Sequence, residues 1–220
     1  MTARALALLL LAVCTPGCDA PTAARPAAAY NPTSLTGGLL YRWTSGTSVR
    51  VFIVEGAAGP AFDLGIAVRQ AMAVWNEVRQ FNEYTLVSTT SLSEADIVVF
   101  DRQTASPVRD GNCTFDPRNS AGYTYFCPGS GSPRRAERLA LNSGGGSVVS
   151  VVIRVDAGRV TSQSAYNAVV AHEFGHALGI GAHSDQATDL MFGLPTVSVP
   201  SDRDRATLRF VLGQVADLTL

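Results

Sequence analysis

Histidine is almost missing from this chain: its 220 residues hold three, His172, His176 and His183, all within twelve consecutive positions. Glutamate is also sparse, with six, and none follows Glu173. Charge is low and balanced, 16% of residues with a net charge of -1, so no basic field or Lys/Arg stripe exists to hold nucleic acid, which is not expected as a partner. The apolar run from Ala5 to Val13 is too short to cross a bilayer as a mature anchor. What the chain does have is 46% hydrophobic residues, enough for one substantial core that needs neither metal nor disulfide to fold.

The first 18 residues, "MTARALALLLLAVCTPGC", place Arg4 before that run and small, turn-forming residues after it, the layout of a removable export signal. The end of the segment resembles a bacterial lipoprotein signal, because Gly17 stands directly before Cys18, which would carry the lipid and become the mature N-terminus. The protein is therefore expected to be exported, as a cell-envelope lipoprotein or otherwise secreted, and to meet a membrane only through that anchor. Residues 19–40, dominated by Ala, Pro, Thr and Gly, read as a flexible tether that contributes nothing to a core. With Cys14 removed and Cys18 lipidated, Cys113 and Cys127 remain, and an even remainder in an exported protein reads as a disulfide. Closing that loop is worth roughly 3 kcal/mol. The sharper alternative, a two-cysteine metal site, has no histidine near it.

From Tyr41 onward strand-like and helix-like segments alternate. "SVRVFIVE" at 48–55 reads as a strand, and residues 61–80 carry an apolar helical stripe through Leu64, Ala67, Val68, Ala71, Val74, Trp75 and Val78, with Trp75 expected in the core. Residues 84–89 and 95–100 read as a pair of strands, 138–142 and 147–155 as two more, with the Gly/Pro/Ser-rich stretch that holds both cysteines left as a loop. A second long helix starts at Ser162 or Ser164, either of which can cap it, and runs into the histidines.

The histidines stand in "HEFGHALGIGAH", where a chance H-E-x-x-H arises in about one shuffle in a thousand. Residues four apart share a helix face, so His172 and His176 present two imidazoles to one point, as a zinc ion requires. Glu173 can reach a water on that zinc without being a ligand. The metal would acidify the water and polarise a carbonyl, and Glu173 would take the proton, which is amide hydrolysis by one base and one Lewis acid.

Beyond the second histidine come Gly179, His183 and, in "DLMF", Met191. The whole stretch resembles the metzincin zinc peptidases, most closely the matrixins. The likeness covers about residues 41–220, although only 172–191 are specific. It implies an α+β zincin fold, a twisted mixed β-sheet with an active-site helix and a C-terminal helix near "PSDRDRATLRFVLG". It also implies one catalytic zinc held by His172, His176 and His183 over a turn containing Met191, with Glu173 as base and a protein or peptide as substrate. An edge strand within Ser147 to Val155 is expected to pair with the substrate, and residues 192–195 to line the pocket. A monomer is expected. Calcium is possible but unsupported, since Asp156 and Asp185 offer oxygens without a loop motif.

One departure stands out: three residues, Ile180, Gly181 and Ala182, separate the glycine from His183 where the family has two. A bulge at Gly181 can absorb the extra residue. Asp185 or Asp189 is the alternative third ligand, whereas a downstream glutamate is excluded because there is none. Two functions of different class follow: a zinc endopeptidase, or a lipoprotein binding module that keeps the fold without turnover. Glu173 favours the first, because a purely structural zinc site has no use for a base beside its first ligand.

Overall fold

The computed structural model describes residues 28–55, 62–104, 120–128, 134–137, 139–140, 147–149 and 151–220. Cys18 and Cys113 lie outside the described residues, and with them the export signal, the lipidation site and the disulfide expected on sequence grounds. In chain order the strands are β1 (Tyr41–Arg42), β2 (Thr47–Ile53), β3 (Tyr84–Ser88), β4 (Ile97–Asp101), β5 (Gly122–Tyr125), β6 (Cys127–Pro128), β7 (Arg134–Glu137), β8 (Leu139–Ala140), β9 (Ser147–Val149), β10 (Val151–Val155) and β11 (Leu218–Thr219). The helices are α1 (Leu64–Asn76), α2 (Gln163–Ala177) and α3 (Asp202–Leu212).

The main sheet runs β3-β2-β4-β10-β5, parallel throughout except for the antiparallel β10–β5 pair at one edge. Its central strands "IVVFD" and "VVIRV" are nearly continuous apolar runs because both faces are covered. Ile97, Val99, Val151 and Ile153 face the helices in the main core, while Val98, Phe100 and Val152 pack with Ala95 and Tyr125 on the opposite face. The fold is thus the α+β zincin architecture expected from the sequence.

Helix α1 is capped by Asp63, whose carboxylate accepts the Ile66 amide, and it buries Leu64, Ala67, Val68, Ala71, Met72 and Trp75. Trp75 is in the core as expected, and its indole N–H donates to the carbonyl of Ala171 at 2.7 Å, locking α1 across α2. The helix stops at Asn76, short of the expected residue 80, because the Asn76 amide bonds both the N–H and the C=O of Leu86 in β3. Helix α2 is capped by Ser162 rather than Ser164, and from Tyr166 to Ala177 it is buried on nearly every side, as a helix at the centre of a domain must be. Helix α3 opens with a capping box between Ser201 and Asp204.

The structure corrects four expectations. Strands β3 and β4 do not pair; β2 lies between them, and both Ser88 and Ile97 sit opposite Val51, so β4 starts level with the end of β3 and the chain steps over β2 without forming a hairpin. Residues 147–155 are two strands in different sheets, β9 beside β8 and β10 between β4 and β5. The substrate edge expected within this stretch is therefore not on β10, which spends its backbone hydrogen bonds on both sides; the end strand beside it is β5, in a stretch read as loop. Finally, residues 28–40 are not a free tether. Tyr30 packs against the core and bonds Asp204, Leu35 bonds Gly181, and β1 pairs with β11.

Candidate metal centre

Helix α2 sets His172 and His176 on one face with ring centroids 4.7 Å apart, edge to face. The His183 ring sits 5.2 and 5.3 Å from them, and one ring nitrogen from each of the three falls within 4.8 Å of the others. Nδ1 of His172 lies 2.8 Å from the carbonyl oxygen of Leu190, and Nδ1 of His176 lies 2.6 Å from that of Ile180. A carbonyl only accepts, so Nδ1 donates in both rings and each Nε2 keeps a lone pair for a metal.

The extra residue before His183 is absorbed where α2 ends. Gly179 adopts φ 116, its N–H donates to His176 O, and the Ile180 N–H donates to Gly175 O, both at 3.0 Å, which closes the helix as a Schellman motif. Gly181 then donates back to the Gly179 carbonyl at 3.0 Å, a tight turn about Ile180. The inserted turn is not slack: the Ile180 carbonyl holds His176, and the Gly181 carbonyl accepts the Leu35 amide at 2.8 Å.

Met191 is fully buried beneath this group, so close to α2 that a Cβ on Gly175 would run into its sulfur. The turn carrying it is held by Asp204, whose carboxylate accepts the amides of Leu190 at 2.8 Å and Met191 at 3.4 Å. Ser184 donates its amide to the Met191 carbonyl at 2.8 Å, tying the residue after His183 to the same turn. The alternative ligands are occupied elsewhere. Asp189 accepts from Ser184, from Ser201 at 2.7 Å and from Arg203 at 2.9 Å, and Asp185 pairs with Arg203 at 2.6 Å. Burial works to raise the Asp189 carboxyl, but those hydrogen bonds outweigh it and hold the group below its ordinary value. Asp156, offered for calcium, is likewise engaged by Arg102 and Arg159.

Burial is the chief cause that pushes the His172 imidazole well below its usual range and His176 down to about 4, and it lowers His183 as well. All three are neutral at pH 7, the form that ligates. Three neutral imidazoles converging from a rigid helix and a braced turn, with further coordination positions left to water or substrate, is the donor set of a catalytic zinc site, and the residues present fit that ion.

Glu173 is buried between α2 and β5. Burial pushes its carboxyl up to about 8, opposed by Thr124, whose hydroxyl lies 2.8 Å from Oε2 and 2.9 Å from the Glu173 carbonyl. The strand presses close here, since a Cβ on Gly122 would come within 2.6 Å of Glu173 Oε1 and of Val169 Cγ1. A cleft of about 1040 Å³ opens over the histidines, bounded by β5 on one side and by Gly193, Leu194 and Pro195 on the other. Phe192, expected in that wall, instead bridges Ser184. Sequence reading missed β5, Thr124 and Asp204. The alternation in "GYTY" was the available signal for the strand, and the Ser201 to Asp204 capping box for the buried acid.

No individual curated protein matches the chain. A matrixin family model does, over residues 58–207, which is more than half the sequence and takes in β3, β4, β10, α2 and the three histidines. With fold, donor set and family match in agreement, the chain belongs to the matrixins, a family of zinc-dependent metallopeptidases.

Proposed function

We propose that the protein is an exported endopeptidase whose zinc is held by His172, His176 and His183 and whose general base is Glu173. The observation that carries this reading is the position of Glu173, a buried carboxyl between the three-histidine point and β5, the end strand of the five-stranded sheet among the described residues. When bound, zinc supplies a Lewis acid that acidifies water and polarises a carbonyl. The chain's own residues do the rest. An extended peptide laid along β5, at the end of the sheet, would be held with its scissile bond over the histidines by strand addition. Thr124 and the glycine at 122 fix the Glu173 carboxylate against that edge. Glu173 takes the proton of the attacking water and returns it to the departing amine.

The test is cleavage of a generic unfolded protein by the wild type and by Glu173→Gln, each with and without a chelator and with zinc content measured. The variant should keep its zinc and lose turnover by about 10²-fold or more, the contribution of a positioned base. Zinc retained with undiminished cleavage would refute the role of Glu173. On sequence grounds alone, Cys18 belongs to the same proposal as a lipid anchor to the cell envelope, which labelling with a radioactive fatty acid checks.

A further inference from the structure

The N-terminal segment read as a tether is the other structural element of the cleft. Residues 33–39 form a compact strap: Thr36 donates its amide to the Thr33 carbonyl at 3.1 Å, and its hydroxyl lies 2.5 Å from the Leu39 carbonyl. The strap is pinned at both ends, by Leu35 N–H to Gly181 O at 2.8 Å and by Leu40 N–H to the Asp217 carboxylate at 2.8 Å. It docks on the inserted turn, where a Cβ on Gly181 would run into Thr36 Cγ2 and sit 3.1 Å from the Pro32 carbonyl. The residue that breaks the family spacing is thus where the strap is fastened.

Pinned in this way, Leu35 and Leu39 line the cleft together with His176 and His183, yet they are 59% and 41% exposed. Two leucines held toward solvent by hydrogen bonds on either side form an apolar surface that nothing in the chain covers among the described residues. Their place along the cleft follows from Tyr41, two residues on, whose ring meets that of Phe126 at 4.4 Å just beyond β5. A peptide antiparallel to β5, with its scissile bond level with Gly122 to Thr124 where Glu173 sits, carries its preceding residues toward Phe126. At about 3.4 Å per residue, the second or third residue before the cut reaches the strap.

We propose that Leu35 and Leu39 are specificity-determining residues, a wall that selects a large apolar side chain two or three residues before the scissile bond. This rests on the endopeptidase reading and adds a segment that the catalytic machinery does not need. The test uses zinc-loaded protein and a peptide series that differs only at those two positions, carrying Leu, Ala or Arg. The wild type should prefer Leu over Ala by about tenfold or more in kcat/KM, the usual scale for an apolar pocket. Leu35→Ala with Leu39→Ala should shrink that preference to about threefold or less while leaving the Ala peptide's cleavage within about twofold. Leu39→Glu should make the Arg peptide the better substrate. Affinities of the same peptides for Glu173→Gln, read by fluorescence anisotropy, should follow the same order. A preference unchanged in the double variant, or a wild type indifferent to the series, overturns the wall assignment and leaves the endopeptidase reading intact. Absence of cleavage with the affinity order present removes the endopeptidase reading and supports the wall.

Discussion

Asp204 is the buried acid on which the metal-binding turn depends, and replacing it has a calculable cost. Its side chain is fully buried on α3 and takes four hydrogen bonds: Oδ2 accepts the amides of Leu190 at 2.8 Å and Ser201 at 2.9 Å, and Oδ1 accepts the Tyr30 hydroxyl at 2.8 Å and the Met191 amide at 3.4 Å. Leu190 in turn gives its carbonyl to His172. Asp204→Ala strands the Leu190 amide in the interior, undoes half of the capping box and empties a small cavity. At about 1–3 kcal/mol for each stranded buried donor, the loss should total about 3–5 kcal/mol. Asp204→Asn keeps an oxygen for Leu190 and Ser201 and turns an amide toward Tyr30, whose hydroxyl can rotate to accept, so its cost should be about 1–2 kcal/mol. Urea unfolding with chelator present measures both. With a slope of about 2 kcal/mol per molar, the midpoint should fall by about 1.5–2.5 M for Ala and by less than about 1 M for Asn. Zinc affinity should fall in the same order, because the carbonyl that orients His172 has lost its anchor. A midpoint shift below about 0.5 M for Asp204→Ala, with zinc affinity unchanged, would refute the reasoning.

Two further outcomes follow from the geometry and a third from the cysteine count. Gly122→Ala should cost at least about tenfold in kcat with zinc content retained, because the new Cβ displaces the Glu173 carboxylate from 2.6 Å away; single-turnover cleavage and metal analysis check it. In the metal-free protein, Glu173 holds its proton up to about pH 8 when folded but only to its ordinary value of 4.5 when unfolded. The folded state therefore binds the extra proton, and stability should fall as pH rises from 7.5 to 8.5, where the histidines are almost wholly neutral in both states. Urea midpoints across that range should decline for the wild type and stay flat for Glu173→Gln. On the proposal of export, Cys113 and Cys127 should be oxidised to one another, so intact mass before and after reduction should differ by two hydrogens once alkylation is accounted for; two free thiols would remove both the bridge and the proposed compartment.

The helix that carries His172, Glu173 and His176 was legible because everything that defines it is local. Ser162 caps three residues ahead, His172 and His176 meet by the repeat of a single turn, and Gly179 ends the helix with a backbone angle that other residues rarely adopt. The central strands were legible for a related reason, since a run such as "IVVF" can only be buried. Boundaries were less secure: α1 ends at Asn76 because that amide binds Leu86 in another strand, which no helical pattern announces.

By itself, then, the sequence determined the fold class and singled out the three histidines and Glu173 as candidate ligands and base, all of which rest on spacings of a few residues. Only the tertiary structure decided how that chemistry is framed. The end strand beside the histidines is β5 and not β10, because a strand's availability depends on who its neighbours are, and β10 has one on each side. Asp185 and Asp189 are engaged by Arg203, 18 and 14 residues away in the chain, a pairing that no local spacing announces. Thr124 meets Glu173 across 49 residues and Tyr30 meets Asp204 across 174. Contacts of that separation are set by how elements pack, and a one-dimensional pattern carries no record of which surfaces will face each other.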